Sequence, residues 1–471
     1  MEVAFRKSSG GITRSTRIIG RGRRNGTGVK VKAYVDEQAV YDVHEHHMPE
    51  ILRDRDVGLL KLLEQSYAGW TQRARPNRLA SEPQDEGHVR IESRGGSWDE
   101  IAAYVEGSGS NAFVRTLVAA LSELYRLGDG GITRENWEAL DEEIHRRHAD
   151  PGWTGEVLAE ARIERIVTDP YTNPLLDARA ALGDLYRSVL RVNALALGWH
   201  AGSLDHNGNS AHDFARRLGV ELTSFDDYAA FLERIVETMG ERNQIALKNA
   251  LAYDRDLRFD EPDEAAARCA WLKTDPSVYE RKAFGDFVID RLCALAGERG
   301  IPVQMHVGTA LIRGSHPLNV AALIERHPRT RFLLMHLGYP WSRDVLGMAF
   351  FYRNIWLDLT WSFLLSPSHF KLALHEAIEV LPDESRLMLG GDAWHAEETY
   401  GALRLARRLI AEVLEEKIDD GYLDESAARR LARRILHGNA RAFFGLLEAS
   451  PLVPSPSVAV PVSVSERATA P

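Results

Sequence analysis

Residues 330–341 read TRFLLMHLGYPW, and residues 355–359 read IWLDL. Successive side chains of a strand point to opposite faces, so an apolar run without alternation describes a strand covered on both sides. The first run ends in a polar residue, His336. The same pattern recurs in 301–308, IPVQMHVG, where His306 follows the apolar run, and in 386–394, RLMLGGDAW, where Asp392 does. Between these runs lie amphipathic stretches of helical period. Short two-faced strands alternating with helices predict the α/β class, with a parallel sheet whose crossovers are helices.

Eight strand candidates can be placed: 39–43, 162–168, 189–197, 244–253, 302–307, 331–336, 355–359 and 386–390. They predict a (β/α)8 TIM barrel. The first is followed by more than a hundred residues of mostly helical period. That stretch reads as a helical cap inserted over about residues 50–160, beside the barrel mouth. A second insertion, 198–239, opens with the loop HAGSLDHNGNSAHD at 200–213. Insertions at strand C-termini sit over the site of a barrel. The barrel is expected over 37–449. A basic, disordered tail is expected over 1–36 and a Pro/Ser/Val-rich disordered tail over 450–471.

Composition narrows the function. The chain has 471 residues, 44% hydrophobic and 27% charged, with a formal charge of −10. That balance argues against nucleic acid as the main partner, because phosphates need a basic field. No apolar run is long enough for a bilayer, and no secretory leader is visible, so no membrane partner and a cytoplasmic setting are expected. Two cysteines, Cys269 and Cys293, rule out a disulfide framework and read as buried apolar filler. There is no phosphate-binding Gly-rich loop and no Gly-x-Ser-x-Gly elbow. A small molecule is the expected partner, with homo-oligomer formation left open.

The chemistry is concentrated at strand ends. Asp42-Val43-His44-Glu45-His46 closes the first strand. Residues two apart share a face, so His44 and His46 present two imidazoles to one point, which is metal-ligand geometry. His306, His336 and Asp392 add three more polar residues at C-terminal strand ends, the face that carries catalysis in a barrel. Neutral imidazoles with one carboxylate leave a divalent ion net positive and able to acidify water to about pH 7. Zinc suits this donor set best, and manganese and iron also fit it.

This order, His-x-His on strand one, His on strands five and six, and Asp on strand eight, resembles the amidohydrolase superfamily from about Val40 to Leu447. NARAFFGL at 439–446 resembles the closing helix of its amidohydrolase-2 branch. ALKNALAYDRDLRF and HLGYPWSRD resemble the TIM-barrel metal-dependent hydrolases related to the FluG amino-terminal domain. The long cap is similar to that of uronate isomerases.

The resemblance implies that His44, His46 and His306 bind a divalent metal. Asp392 would be both ligand and proton shuttle, and His336 would bind a second metal or polarise the substrate carbonyl. Lys248 stands where binuclear relatives carry a bridging carboxylated lysine, or else pairs a substrate carboxylate. Arg255, Arg313, Tyr339, Arg343 and Trp394 are expected to contact substrate, with His316, Trp341, Trp361, His395, Glu397 and Glu398 also near the mouth. The expected activity is metal-dependent hydrolysis of an amide or related C–N bond in a small, carboxylate-bearing substrate. The alternatives are a non-hydrolytic decarboxylase or uronate-isomerase-like enzyme on the same site, and a binding scaffold without chemistry.

Overall fold

A computed structural model describes residues 28–72 and 95–448. Its eight strands are β1 (Val40–Glu45), β2 (Ile163–Thr168), β3 (Tyr186–Arg191), β4 (Gln244–Asn249), β5 (Val303–Met305), β6 (Phe332–Leu334), β7 (Ile355–Asp358) and β8 (Leu387–Met388). They lie in sequence order, each parallel to its neighbours. β8 has only two residues, so the chain beyond it closes the ring. Val43 N donates to Leu389 O (3.1 Å), Asp392 N to His44 O (2.9 Å) and His46 N to Ala393 O (2.8 Å). The TIM barrel expected from the apolar runs is thus present.

The last helix, Asn439–Glu448, packs against the strand starts. Phe443 meets Trp356 at 5.1 Å between ring centroids, and the Arg331 guanidinium lies 4.9 Å from the Phe443 ring. With Tyr41, Val43, Val167, Val189, Ile245 and Leu333, it fills that end with apolar side chains. The opposite end, at the strand C-termini, is left for polar groups.

Between β1 and β2 the described residues build six α-helices, from Pro49–Leu52 to Trp153–Glu160. They bury their own apolar cluster, including Leu62, Leu63, Ile101, Leu117, Leu121, Leu140 and Ile144. One carboxylate fastens this insertion to the barrel. Glu397, in the helix Ala396–Asp419, is 1% exposed. Its Oε1 accepts from Tyr125 Oη (2.9 Å), His148 Nε2 (2.9 Å) and Trp153 Nε1 (2.8 Å). Burial alone would raise this carboxyl, but His148 and Trp153 hold it well below its usual range.

Three expectations need correction. The third strand runs Tyr186–Arg191 rather than 189–197, because the apolar run continues into a short helix, Asn193–Ala196. A short apolar run does not by itself separate strand from helix. Residues Gly28–Glu37 form a helix with Val31 and Val35 fully buried, so the last part of the basic tail is folded. Residues 1–27 and the tail from 450 lie outside the described residues. Cys293 is buried as expected, whereas Cys269 is exposed. No helix among the described residues is long and apolar enough to cross a membrane.

Candidate metal centre

His44 and His46 alternate with Val43 and Glu45 at the end of β1, which sends both imidazoles to the barrel mouth. Asp392 meets them from beyond β8. Its Oδ1 lies 3.4 Å from His44 Nε2 and 3.2 Å from His46 Nε2. Each of the three offers a ligand atom within 4.8 Å of the others, and all three residues are buried. His336, ending β6, adds a third imidazole, with Nδ1 3.6 Å from Asp392 Oδ2. His306 stands one ring further away. Its Nδ1 is 3.1 Å from His336 Nε2, and its Nε2 is 3.2 Å from the Thr309 carbonyl.

The protonation states suit a cation. Burial, then the Lys248 ammonium, push His44 well below its usual value. Burial lowers His336 to about 4. Burial would raise Asp392, yet the His44, His46 and His336 imidazoles outweigh it and hold the carboxyl ionised well below its ordinary range. His46 Nδ1 faces the Asp169 carbonyl at 3.2 Å and so serves as donor, leaving Nε2 as a lone pair. Asp392 Oδ1 is buried without a hydrogen-bond partner. Two neutral imidazoles and an ionised, under-satisfied carboxylate oxygen converging on one point fit a divalent ion.

A second carboxyl pair lies behind these ligands. Asp42 Oδ1 accepts from His44 N (3.0 Å), Asp42 Oδ2 from Gly391 N (3.1 Å), and Glu45 Oε2 from Ala393 N. Burial lifts both, Asp42 to about 8 and Glu45 well above its usual value. The pair clasps the chain on either side of Asp392. A side chain at Gly390 would begin 2.7 Å from His44 N and 2.8 Å from Asp42 Oδ1, so no larger residue fits there. Asp392 (φ 63°), His336 (φ 60°) and Trp361 (φ 65°) all hold left-handed backbone. Such conformations cost about 1–3 kcal/mol each and persist where the surroundings over-determine them.

The insertion supplies a residue that the sequence did not reveal. Tyr67 is 5% exposed, and its phenol lies within the field of the Asp392 carboxylate. Burial and the Asp392 charge hold this phenol well above its usual value, so it stays protonated. Its ring packs on Trp394 (4.6 Å) and Trp361 (5.2 Å). Trp394 in turn stacks on His46 at 5.5 Å, and Trp361 meets His336 at 5.3 Å. Glu398 holds the frame by accepting Tyr67 N (2.9 Å) and Trp394 N (3.1 Å). Asp169 and Arg191 also escaped the sequence reading. Asp169 directly follows β2, where the rule applied to His306 would have found it. Arg191 was hidden by the misplaced third strand.

Of the expected site residues, His44, His46, His336, Asp392 and Trp394 come together. Lys248 is buried inside β4 with its ammonium against Met335 Sδ. Arg255 and Arg343 are engaged elsewhere, which corrects their expected contact with substrate. Arg255 pairs with Asp286 and lies 5.1 Å from the Phe259 ring. Arg343 grips Glu376 through Nε (3.1 Å) and Nη2 (2.6 Å) on the outer surface. Arg313 is exposed, and half-buried Tyr339 packs edge-on to His369 at 5.0 Å. Glu397 and Glu398 brace the insertion and Tyr67. His395 Nε2 is 3.1 Å from Gln65 Oε1. His316 pairs loosely with Asp344 (3.5 Å) beside Trp341.

Known proteins bear on this site. The Amidohydrolase family model matches residues 256–446. Protein fluG of Emericella nidulans is 29% identical over 287 residues, covering 56% of this chain and 33% of that protein, so the chain spans about a third of the curated relative it matches. Glucuronate isomerase from Caulobacter crescentus superposes with a TM-score of 0.69 at 14% identity, over 93% of this chain and 96% of that one. A protein from Lactobacillus casei described as a metal-dependent hydrolase superposes at 0.63 with 13% identity, over 89% and 98%. The two superpositions speak for the barrel alone. The family match over residues 256–446 and the fluG relationship make the chain similar to the amidohydrolases.

Proposed function

We propose that this enzyme hydrolyses an amide or related C–N bond of a small, carboxylate-bearing substrate. The observation that carries the proposal is Asp392, whose Oδ1 faces the His44 and His46 imidazoles while its Oδ2 faces His336. His44, His46 and Asp392 would hold the ion, with zinc the best match to their chemistry. When bound, a divalent ion supplies Lewis acidity, polarising a carbonyl oxygen and acidifying water.

The chain's own groups do the rest. Asp392, ionised, accepts the proton of the attacking water as its oxygen bonds the carbonyl carbon. It then delivers that proton to the nitrogen as the C–N bond breaks. Tyr67, protonated near Asp392, donates to the oxyanion, with the neutral His336 also at hand. Trp394 and Trp361 keep water away from the reacting atoms. Lys248 is a buried cation for the substrate carboxylate. If its amine is carboxylated instead, it would help hold a second ion, and the protein would carry two equivalents.

A second reading, sugar-acid isomerisation, is supported by the superposition on glucuronate isomerase. It would use Asp392 and Tyr67 to move protons between adjacent carbons without consuming water. Decarboxylation is a third use of the same groups. Elemental analysis of the wild type and of His44→Ala/His46→Ala, followed by turnover of amides of amino acids in 18O-water, tests the proposal. One zinc lost in the variant, and one 18O atom in the carboxylate product, are expected. Turnover of uronates without 18O uptake would favour isomerisation, and absence of metal in both proteins would defeat both readings.

A further inference from the structure

Arg191 ends β3 with its side chain 1% exposed, a positive charge inside the barrel mouth that no step above uses. Its Nη1 donates to Asp169 Oδ2 at 3.2 Å, and the Asp169 side chain is wholly buried. Its guanidinium carbon lies 5.7 Å from the Tyr171 ring. These two partners are also the groups that bear on His46. The Asp169 carbonyl accepts His46 Nδ1 (3.2 Å), and the Tyr171 ring meets the imidazole edge-on at 5.1 Å. The Tyr171 hydroxyl accepts from Trp394 Nε1 (3.2 Å), the indole that stacks on the other side of His46.

We propose that Arg191 is the positioning residue for His46. By pinning the turn from Asp169 to Tyr171, it holds the imidazole with Nδ1 as donor and Nε2 toward Asp392. A buried ion pair adds little net stability, because desolvation cancels most of the attraction. Its value here is geometric. Arginine keeps its charge at any working pH and presents a planar fork that fixes a carboxylate in direction as well as distance. Asp169 has little else to hold its side chain, since Oδ1 has no hydrogen-bond partner. Its backbone is wired to the site at both ends: Asp169 N donates to Glu45 O (2.8 Å), and Asp169 O also accepts Tyr171 N (2.9 Å). Without Arg191, a buried carboxylate is left uncompensated. Its reorientation moves the carbonyl that sets the His46 tautomer. Outer-shell partners of this kind change metal affinity by about 10–100-fold.

The proposal rests on the reading that His44, His46 and Asp392 hold an ion, and two measurements keep the two apart. Zinc dissociation constants are taken by competition with a chromogenic chelator for wild type, Arg191→Met and Arg191→Met/Asp169→Asn. The tautomer of His46 is read in the metal-free proteins from long-range 1H–15N spectra, with the signal assigned through His46→Gln. Arg191→Met is expected to weaken zinc binding about 10–100-fold and to mix the His46 tautomers. The double variant, freed of the orphan carboxylate, is expected to regain thermal stability but not zinc affinity, and it carries the test if Arg191→Met does not fold. Affinity within twofold of wild type with an unchanged tautomer would overturn the proposal. So would a double variant that regains affinity together with stability. If wild type binds no zinc, the metal reading falls, and the tautomer alone decides the role of Arg191.

Discussion

Replacing Glu397 with Leu should loosen the β1–β2 insertion while leaving the barrel closed. The carboxylate is 1% exposed, and one oxygen receives donors from three places in the insertion: Tyr125, His148 and Trp153. Leucine fills similar space but accepts nothing, so two buried donors, His148 and Trp153, and the half-buried Tyr125 lose their partner. Removing one side of a buried charged network costs about 3–5 kcal/mol. The insertion has its own apolar cluster, so the loss should appear as local opening rather than global unfolding. Converted at about 1.4 kcal/mol per decade, amide protection in the helices Ala112–Leu124, Trp137–His148 and Trp153–Glu160 should fall roughly 140- to 3,700-fold. Hydrogen exchange read by mass spectrometry measures this directly. Glu397→Gln keeps an acceptor without the charge and should lose only about 1–3 kcal/mol. The carboxyl is held below its ordinary value of 4.5, so its contribution is fully present above that pH and lost as pH falls toward the folded value. Glu397→Gln should therefore abolish the extra acid sensitivity of these helices below about pH 4.5. Protection within threefold of wild type in Glu397→Leu, or a loss spread evenly over the barrel strands, would refute the clamp.

Two further outcomes are expected. Tyr67→Phe should retain wild-type zinc content, because the phenol is no ligand, while kcat falls about 10²-fold, as for loss of one oxyanion donor; unchanged kcat would remove Tyr67 from the reaction. Arg343→Ala should leave turnover and melting temperature unchanged, because its Glu376 pair is exposed on the outer surface; a raised KM would return it to the substrate site.

The sequence exposes the barrel because parallel strands are apolar on both faces, so each polar end stands out against its run. His44, His46, His336 and Asp392 are legible for that reason. What is not legible depends on contacts between distant segments. Tyr67 reaches Asp392 only because helices about 330 residues further on, through Glu398, fix its backbone. Nothing in the local pattern YAGW announces that. Arg255 follows β4 just as a substrate-binding arginine would, and only the fold reveals that Asp286, on the helix Val278–Arg299, has claimed it. Arg191 is hidden for a local reason: the apolar helix Asn193–Ala196 continues the run of β3, so the polar end of the strand does not stand out.

The separate apolar cluster of the insertion has a consequence for how such an enzyme diversifies. A segment that folds around its own interior, and is fastened at Glu397 and Glu398, behaves as an exchangeable cassette. Recombination or laboratory shuffling can replace it and reshape the space over the candidate metal centre, while His44 and His46 of β1 and Asp392 beyond β8 stay untouched. The two adjacent glutamates are the adaptor that any incoming cassette must match.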